Sequence, residues 1–358
     1  MKKNSESKNK LISLKKINSI FKVEEPIFED IDEAVAQYNI PMINNSIDLA
    51  NLSRLGRKVG FFSDLKTSKV MTFFTTKGGV LKTTLALNTA RAAAISGIKT
   101  IVIGLDMQGD MTNAIDSTPS VEDEDLDDYL ESITELKGLF DYYKGDAQLF
   151  DIVKKTDLDN LHYIGETPEL ILLNDHISNL NRREYWLSDK VISKLKSLYQ
   201  LIIIDCSPSW NKLTTNALCA SDLLVSPVEC KINNFRNLQV FQQLISEFKD
   251  DLRINFSNIY VPTKYSKSRK LSGQIYKWYL ENLENVTGAK LPECVACEEA
   301  MALNKSVIET KPSSRSGKAL KNLFVEMNNI LMQNISEITF HRDSYCNQKR
   351  VTDEHFLR

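Results

Sequence analysis

A glycine-rich loop between an apolar strand and a helical stretch constrains the fold most strongly. It lies within residues 73–90, which read FFTTKGGVLKTTLALNTA. Gly78 and Gly79 let the backbone turn its N–H groups inward, and the helix that follows adds its positive end. Lys82 stands where the helix begins, within reach of a bound anion. This order of strand, loop and helix predicts a phosphate-binding loop at the carboxyl end of a buried strand.

The chemistry of the loop is that of a nucleotide site. Lys82 can reach the β- and γ-phosphates, and the Thr83 hydroxyl can hold Mg²⁺. Two positions are unusual, because Lys77 stands at the front of the loop and Leu81 occupies the place of a glycine. If Leu81 needs a positive φ, the cost is about 1–2 kcal/mol, which is small beside the contacts of a bound Mg-nucleotide. The expected nucleotide-binding residues are Lys77, Gly78, Gly79, Val80, Leu81, Lys82, Thr83 and Thr84.

Apolar runs alternate with helical stretches from about residue 69 onward. Strands are predicted at 68–76, 99–105, 161–165, 201–205, 222–228 and 258–263, and helices at 83–96, 235–248 and 317–335. Such alternation predicts an α/β fold with a mostly parallel twisted sheet and helices on both faces. Together with the glycine-rich loop it favours a fold of the P-loop NTPase type. A small helical N-terminal segment precedes it. Ligands of such folds gather at the carboxyl ends of the strands.

Two further segments place a carboxylate at the end of a predicted strand. The first is GLDMQGDMT, residues 104–112, with Asp106, and the second is LIIIDCSPSW, residues 201–210, with Asp205. Asp205 ends a fully apolar strand, and a buried carboxylate is costly unless it is paired. Coordination of Mg²⁺ through water would satisfy it, and a helix N-cap is the alternative interpretation.

The three segments together resemble a known family. KGGVLKTT resembles the deviant Walker A motif, KGGxxKT, of the ParA/MinD ATPases, and residues 201–210 resemble the Walker B motif and second switch. Residues 104–112 are similar to the DxDPQGNxT segment of that family, with Gly104, Met107 and Asp110 as departures that are expected to change the geometry of this switch. The resemblance extends over roughly residues 68–336.

The resemblance implies roles for individual residues. Lys77 would be the signature lysine that crosses a dimer interface to the nucleotide of the other subunit, and Asp106 would orient the attacking water. Lys77, Lys82 and Asp106 are thus the expected catalytic residues, and Thr83 and Asp205 the expected ligands of Mg²⁺. The implied reaction is a slow, Mg²⁺-dependent hydrolysis of ATP to ADP and phosphate.

The resemblance also implies a biological role and partners. The chain is expected to be a plasmid or chromosome partition ATPase that forms an ATP-dependent homodimer, binds nucleoid DNA nonspecifically and is stimulated by a ParB-like centromere-binding protein. Its expected location is cytoplasmic and associated with the nucleoid, without membrane binding. The alternatives are a MinD-like positioning ATPase, a nucleotide-sensing repressor that binds its own operator, and an iron–sulfur carrier that uses Cys294 and Cys297.

Positive side chains that could contact DNA occur in three places. The first lies in residues 28–67, a small helical segment and candidate helix-turn-helix, in which Ser46 was expected to begin a helix that Gly56 ends. The other two lie before and within later helices of the ATPase domain. The expected DNA-binding residues are Arg54, Arg57, Lys58, Lys267, Arg269, Arg315, Lys318 and Lys321.

Composition sets outer limits on these interpretations. The chain has 45 Lys+Arg against 47 Asp+Glu, so DNA binding needs a local patch rather than overall positive charge. The six cysteines are scattered, which favours a reducing compartment, and neither a secretory signal nor a membrane span is expected. The expected domains are a disordered or weakly helical basic arm at 1–27, the segment 28–67, the ATPase domain at 68–336 and a polar tail at 337–358.

Overall fold

The computed structural model describes residues 11–22, 31–63, 65–116, 136–232, 235–293 and 295–333. The tail at 337–358 and most of the arm at 1–27 lie outside these residues. The first described elements form a small N-terminal unit. They are strand β1 (Leu11–Ser13), helices α1 (Leu14–Phe21) and α2 (Ile31–Gln37), strand β2 (Ser46–Asp48), which pairs antiparallel with β1, and helix α3 (Leu49–Val59).

A seven-stranded sheet forms the centre of the molecule, in the order β5-β6-β4-β7-β3-β8-β9. Every neighbouring pair is parallel except β5 and β6. The predicted mostly parallel sheet is therefore confirmed. Its strands are β3 (Lys69–Phe73), β4 (Thr100–Leu105), β5 (Lys154–Lys155), β6 (Leu161–Ile164), β7 (Leu201–Cys206), β8 (Leu223–Glu229) and β9 (Ser257–Thr263).

Helices connect the strands and cover both faces of the sheet. An irregular helical stretch at 183–195 adds to them. The helices are α4 (Lys82–Ile95), α5 (Asp110–Ile115), α6 (Leu139–Lys144), α7 (Leu170–Ile177), α8 (Lys212–Ala220), α9 (Phe235–Leu252), α10 (Lys270–Asn282), α11 (Val295–Ala302), α12 (Val307–Thr310) and α13 at 315–333.

Side chains of each central strand divide between two apolar cores. In β7, Leu201 and Ile203 join the core that also contains α4, α13 and the N-terminal unit, whereas Ile202 and Ile204 join the core on the opposite face. This alternation follows from the period of a strand, whose successive side chains point to opposite faces. The strand is apolar throughout because both faces are covered.

The N-terminal unit differs from its sequence-based expectation. Residues 11–22 were expected to be part of a disordered or weakly helical arm, but they form β1 and α1, and Ile17 and Ile20 of α1 are buried in the core. Lys321 of α13 donates hydrogen bonds to the backbone carbonyls of Ser19 and Lys22. The local composition is rich in lysine, yet the spacing of its few apolar residues suffices to dock the helix.

Helix α3 begins and ends at residues other than those expected. Asp48 is its N-cap and accepts a hydrogen bond from Asn51 N at 2.7 Å, so the expectation for Ser46 was wrong. The helix continues through Gly56 to Val59. A Cβ on Gly56 would lie 1.9 Å from the backbone oxygen of Ile95 in α4. The glycine therefore serves a close approach between two helices and does not end one.

Helices α2 and α3 do not have the arrangement of a helix-turn-helix. Residues 38–48 connect them and include strand β2. The helices of a helix-turn-helix are joined by a turn of roughly 3–4 residues.

Among the described residues, no helix is long and apolar enough to cross a membrane.

A buried ion network fixes helix α4, which follows the glycine-rich loop. The Arg91 side chain has no exposed surface; its Nε donates to Glu309 Oε2 at 2.6 Å and its Nη1 to Asp157 Oδ1 at 2.8 Å. Lys305 also pairs with Asp157. Burial alone would raise the pKa of Asp157, but the hydrogen bonds and charge of Arg91 lower it to about 2. Helix α4 is thereby tied to α12 and to the loop before β6.

We expect Arg91→Met to lower the free energy of unfolding by about 3–5 kcal/mol, because it leaves two buried carboxylates without their main partner. Urea denaturation of the purified chain would measure this change. Lys277→Met is the matched control, since it removes a surface ion pair with Glu281 and should cost less than about 1 kcal/mol. Equal losses for the two variants would contradict the role given to the network.

Candidate functional site

The glycine-rich loop connects β3 to α4 at the carboxyl edge of the sheet. Leu81 has φ 74° and ψ 29°, and Gly79 has φ 67°. Leu81 therefore adopts the positive φ whose cost was considered above. A Cβ built on Gly78 or Gly79 would meet no atom within 4 Å, so the space beside these two residues is open. The loop has the shape of an anion cradle, with the amino end of α4 behind it.

Lys82 lies at the bottom of this cradle. It is buried, and its Nζ donates to the backbone oxygen of Lys77 at 3.2 Å, across the loop. Burial lowers the pKa of Lys82, while the charges of Asp205 and Asp106 act in the opposite direction. The structure therefore brings together three of the residues predicted for the site, with the ammonium group between the loop and two carboxylates.

Asp205 is completely buried, and neither of its carboxylate oxygens has a hydrogen-bond partner among the described residues. Burial, followed by the charge of Glu166, raises its pKa well above the usual range. The Thr83 hydroxyl lies close enough to oppose this shift, although the pair does not reach normal hydrogen-bond geometry. An unsatisfied buried acceptor costs roughly 1–3 kcal/mol. A hydroxyl beside a partnerless carboxylate is the donor set that Mg²⁺ prefers, so these residues fit the ion.

Asp106 follows β4 and is half-buried. Its Oδ1 accepts a hydrogen bond from Gln108 N at 3.2 Å. Gly109, with φ 74°, is the N-cap of helix α5. Asp106 and Asp205 thus lie at the ends of neighbouring strands, as the sequence predicted.

Glu166 is a site residue that the sequence interpretation missed. It follows β6, is buried, and accepts hydrogen bonds from the backbone and hydroxyl of Thr112. Burial raises its pKa to about 7, although the hydrogen bonds from Thr112 act in the opposite direction. A carboxylate directly after a predicted strand was the available signal, and it is the same signal that identified Asp106 and Asp205.

Lys77 has a partner within its own chain. Its Nζ pairs with Glu229 Oε2, and Lys264 Nζ pairs with Glu229 Oε1 at 2.5 Å. Burial would raise the pKa of Glu229, but the two ammonium groups lower it. The Lys77 side chain is 24% exposed. Glu229 at the end of β8 was also missed, since nothing in the sequence links it to a loop so far away along the chain.

The expected DNA-binding residues of the ATPase domain lie on different elements and differ in exposure. Lys267 and Arg269 precede α10, Arg315 and Lys318 lie on α13, and all four are exposed. Lys321 is only 3% exposed because it binds the carbonyl oxygens at the end of α1, so its assignment to a DNA surface was wrong.

The three positive residues of the N-terminal unit lie on α3 and are exposed. Arg54 Nη1 donates to Asn51 Oδ1 at 3.2 Å, and Arg57 Nε donates to the Gly97 carbonyl at 3.2 Å. Lys58 Nζ lies 5.1 Å from the centre of the Tyr38 ring. Arg57 therefore contributes to docking α3 on α4 as well as to the positive surface.

The cysteine pair suggested for an iron–sulfur cluster receives no support from the described part. Cys294 lies outside the described residues, and Cys297 is buried in α11. No group of three or more His, Cys, Asp or Glu side chains that could hold a metal occurs among the residues that the structure describes.

Comparison with known proteins gives a consistent family assignment. The model of the AAA_31 family, an AAA domain, matches residues 68–258, more than half of the chain. The chromosome partitioning protein ParA of Caulobacter vibrioides is 28% identical over 67% of this chain and 86% of its own length. The sporulation initiation inhibitor protein Soj of Bacillus subtilis is 26% identical over 72% of this chain and 98% of its own length.

Solved structures share the fold. A plasmid partition protein of Borrelia burgdorferi bound to AMPPNP superposes with a TM-score of 0.59 at 18% identity, covering 73% of this chain and 98% of that chain. Cobyrinic acid a,c-diamide synthase of Mycobacterium smegmatis, with a bound ATP analogue and magnesium, superposes with a TM-score of 0.57 at 21% identity, covering 72% and 93%. These likenesses establish the architecture around the loop.

The left-handed conformation of Leu81 leads to a test of the loop. Leu81→Ile keeps the side-chain volume but adds β-branching, which is strongly disfavoured at positive φ, and should destabilise the fold by about 1 kcal/mol or more. Leu81→Asn, which tolerates this conformation, should be neutral or stabilising. Urea midpoints would measure both, with Leu172→Ile on the exposed surface of α7 as control. An isoleucine variant as stable as the asparagine variant would contradict the strain at Leu81.

Proposed function

The chain belongs to the AAA_31 family of ParA/MinD-like ATPases, and from this premise we propose that it is a DNA partition ATPase. It binds Mg-ATP at the loop, closes into a homodimer around the nucleotide, and in that state binds nucleoid DNA without sequence preference. A ParB-like centromere-binding protein then stimulates hydrolysis and releases the DNA. The chromosome partitioning protein of Caulobacter vibrioides, which matches this chain over 86% of its own length, supports this role.

One observation of the site carries the proposal. Asp205 is completely buried without a hydrogen-bond partner, beside the Thr83 hydroxyl and within reach of the charge of Lys82. A bound cation would stabilise the charged form of a carboxylate in such a place, and the glycine-rich loop next to it offers backbone N–H groups to an anion. Mg²⁺ bound to a nucleoside triphosphate supplies both charges in one ligand.

Each residue of the proposed site has a distinct task. Lys82 neutralises charge on the β- and γ-phosphates, and the loop amides hold the phosphate oxygens. Thr83 and Asp205 would hold Mg²⁺, which supplies charge neutralisation to the phosphates when it is bound. Asp106, half-buried at the end of β4, orients the attacking water. The resting partner of Lys77 is Glu229, so its proposed crossing to the other subunit requires that this ion pair separate.

Positive surfaces give the proposed DNA contacts. Lys267 and Arg269 lie together before α10, and Arg315 and Lys318 lie on α13. Residues Arg54, Arg57 and Lys58 on α3 form a third exposed group that could serve nonspecific DNA or the operator of the chain's own gene. Phosphate contacts of this kind fix position but not sequence. The proposed location is the cytoplasm, on the nucleoid.

Substitutions of Lys82 and Asp106 should separate ATP binding from ATP hydrolysis. Lys82→Ala should abolish ATP binding because it removes the cation of the cradle. Asp106→Ala should bind ATP within about threefold of wild type and hydrolyse it at least about tenfold more slowly. Fluorescent-nucleotide titration and phosphate release would measure both, with Asp251→Ala on the exposed face of α9 as control. Normal turnover by Asp106→Ala would overturn the role of Asp106.

Binding to random-sequence duplex DNA tests the proposed function itself. It should require ATP, be absent with ADP, and weaken steeply between two salt concentrations. Replacing Lys267 and Arg269 by alanine should reduce the slope of log affinity against log salt by about 2, whereas Lys277→Ala should leave it unchanged. Binding that ignores ATP would favour a repressor that uses the N-terminal unit, and absence of binding would overturn the partition cycle.

A further inference from the structure

The carboxyl group of Glu166 occupies the space beside Gly104 in the middle of the site. A Cβ built on Gly104 would lie 2.4 Å from Glu166 Cγ, 2.6 Å from Cδ and 2.8 Å from Oε1. Atoms cannot approach so closely, so any larger residue at 104 would displace the carboxyl group. Gly104 is not among the glycines with positive φ. The glycine therefore leaves room for the carboxyl group of Glu166 and is not needed for an unusual backbone conformation.

The position is central because Gly104 lies opposite Asp205 in the pairing of β4 with β7. A side chain on this residue would come from the strand that carries Asp106. Instead, a carboxyl group arrives from the end of the adjacent strand β6, which pairs with β4 through Ile103 and Ile164. Its charge acts on Asp205, since Glu166 is the second cause of the raised pKa of that residue, after burial.

Glu166 also holds the helix that follows the loop of Asp106. Its Oε2 accepts hydrogen bonds from Thr112 N at 3.0 Å and Thr112 Oγ1 at 3.1 Å. Its own backbone N–H donates to Thr112 Oγ1 at 2.7 Å. Thr112 lies in the first turn of α5, where backbone N–H groups have no partner within the helix. Glu166, which follows β6, thus forms hydrogen bonds with both the backbone N–H and the side-chain hydroxyl of Thr112.

We propose that Glu166 is a positioning residue for ATP hydrolysis: through Thr112 it fixes the start of α5 and thereby the loop at 106–109 that carries Asp106. The inference rests on the proposed function, because it assigns a task in hydrolysis at that same site. The space at Gly104 is the condition for this arrangement, so Gly104 and Glu166 act as a pair.

The test separates nucleotide binding from turnover in the full-length chain. Glu166→Ala should keep its affinity for a fluorescent ATP analogue within about threefold and lower the rate of phosphate release at least about tenfold. Glu166→Gln keeps an oxygen that can accept from Thr112 and should retain a rate within about threefold of wild type. Gly104→Ala should reproduce the loss of Glu166→Ala by displacing the carboxyl group. Glu169→Gln, three residues farther along, is the control and should change neither quantity.

A double-mutant cycle identifies the route of the effect. Thr112→Val removes the hydroxyl that exchanges two hydrogen bonds with Glu166. If Glu166 acts through Thr112, the variant with both Glu166→Ala and Thr112→Val should be no slower than the slower single variant. Losses that multiply would overturn the proposed route, and so would a fall in ATP affinity that matches the fall in rate.

The outcomes also distinguish this inference from the proposed function. A wild-type chain that hydrolyses ATP at the same rate as Glu166→Ala would overturn the inference and leave the ATPase intact. A wild-type chain that neither binds nor hydrolyses ATP would overturn the proposed function and the inference with it. Folding of each variant is checked by its urea midpoint, and Gly104→Ala keeps the test valid should Glu166→Ala fail to fold, because a wild-type rate in that variant would overturn the inference.

Discussion

The register of three parallel strands determines the geometry of the whole site. Phe73 of β3 and Gly104 of β4 both lie opposite Asp205 of β7. The glycine-rich loop and the loop of Asp106 therefore leave the sheet on either side of one buried carboxylate. A slip of one residue would turn every apolar side chain of a strand to the other face. Because both faces of this sheet are packed, the two apolar cores fix the register of the strands. The register in turn fixes the relative positions of the site residues.

Charge at the site is unbalanced in a way that favours a ligand. Asp205 and Glu166 are buried, Asp106 is half-buried, and the ammonium group of Lys82 interacts with Asp205 and Asp106. Burial raises the pKa values of the first two. Each unsatisfied carboxylate oxygen costs roughly 1–3 kcal/mol, and a bound divalent cation would recover part of that cost.

Local patterns predicted most of the sheet and the loop, whereas contacts between distant residues escaped prediction. The alternation of apolar strands and helices, the glycines at 78 and 79 and the carboxylates after β4 and β7 are all readable within a few residues. The hydrogen bonds between Glu166 and Thr112, and the burial of Lys321, depend on residues far apart in sequence. Gly56 was wrongly predicted to end a helix for the same reason. Glycine often follows the last residue of a helix, but this glycine lies against the end of α4, which is distant in sequence.

The ion pair of Lys77 has a feature that bears on closure of the proposed dimer. Glu229 is shared between Lys77 and Lys264, and its side chain is 6% exposed. If Lys77 alone neutralised this carboxylate, its departure would leave a buried, unpaired charge, which costs about 3–5 kcal/mol. Lys264 remains behind, so most of that cost does not arise. The shared carboxylate thus holds Lys77 in place within one chain and would still permit its release in the proposed dimer.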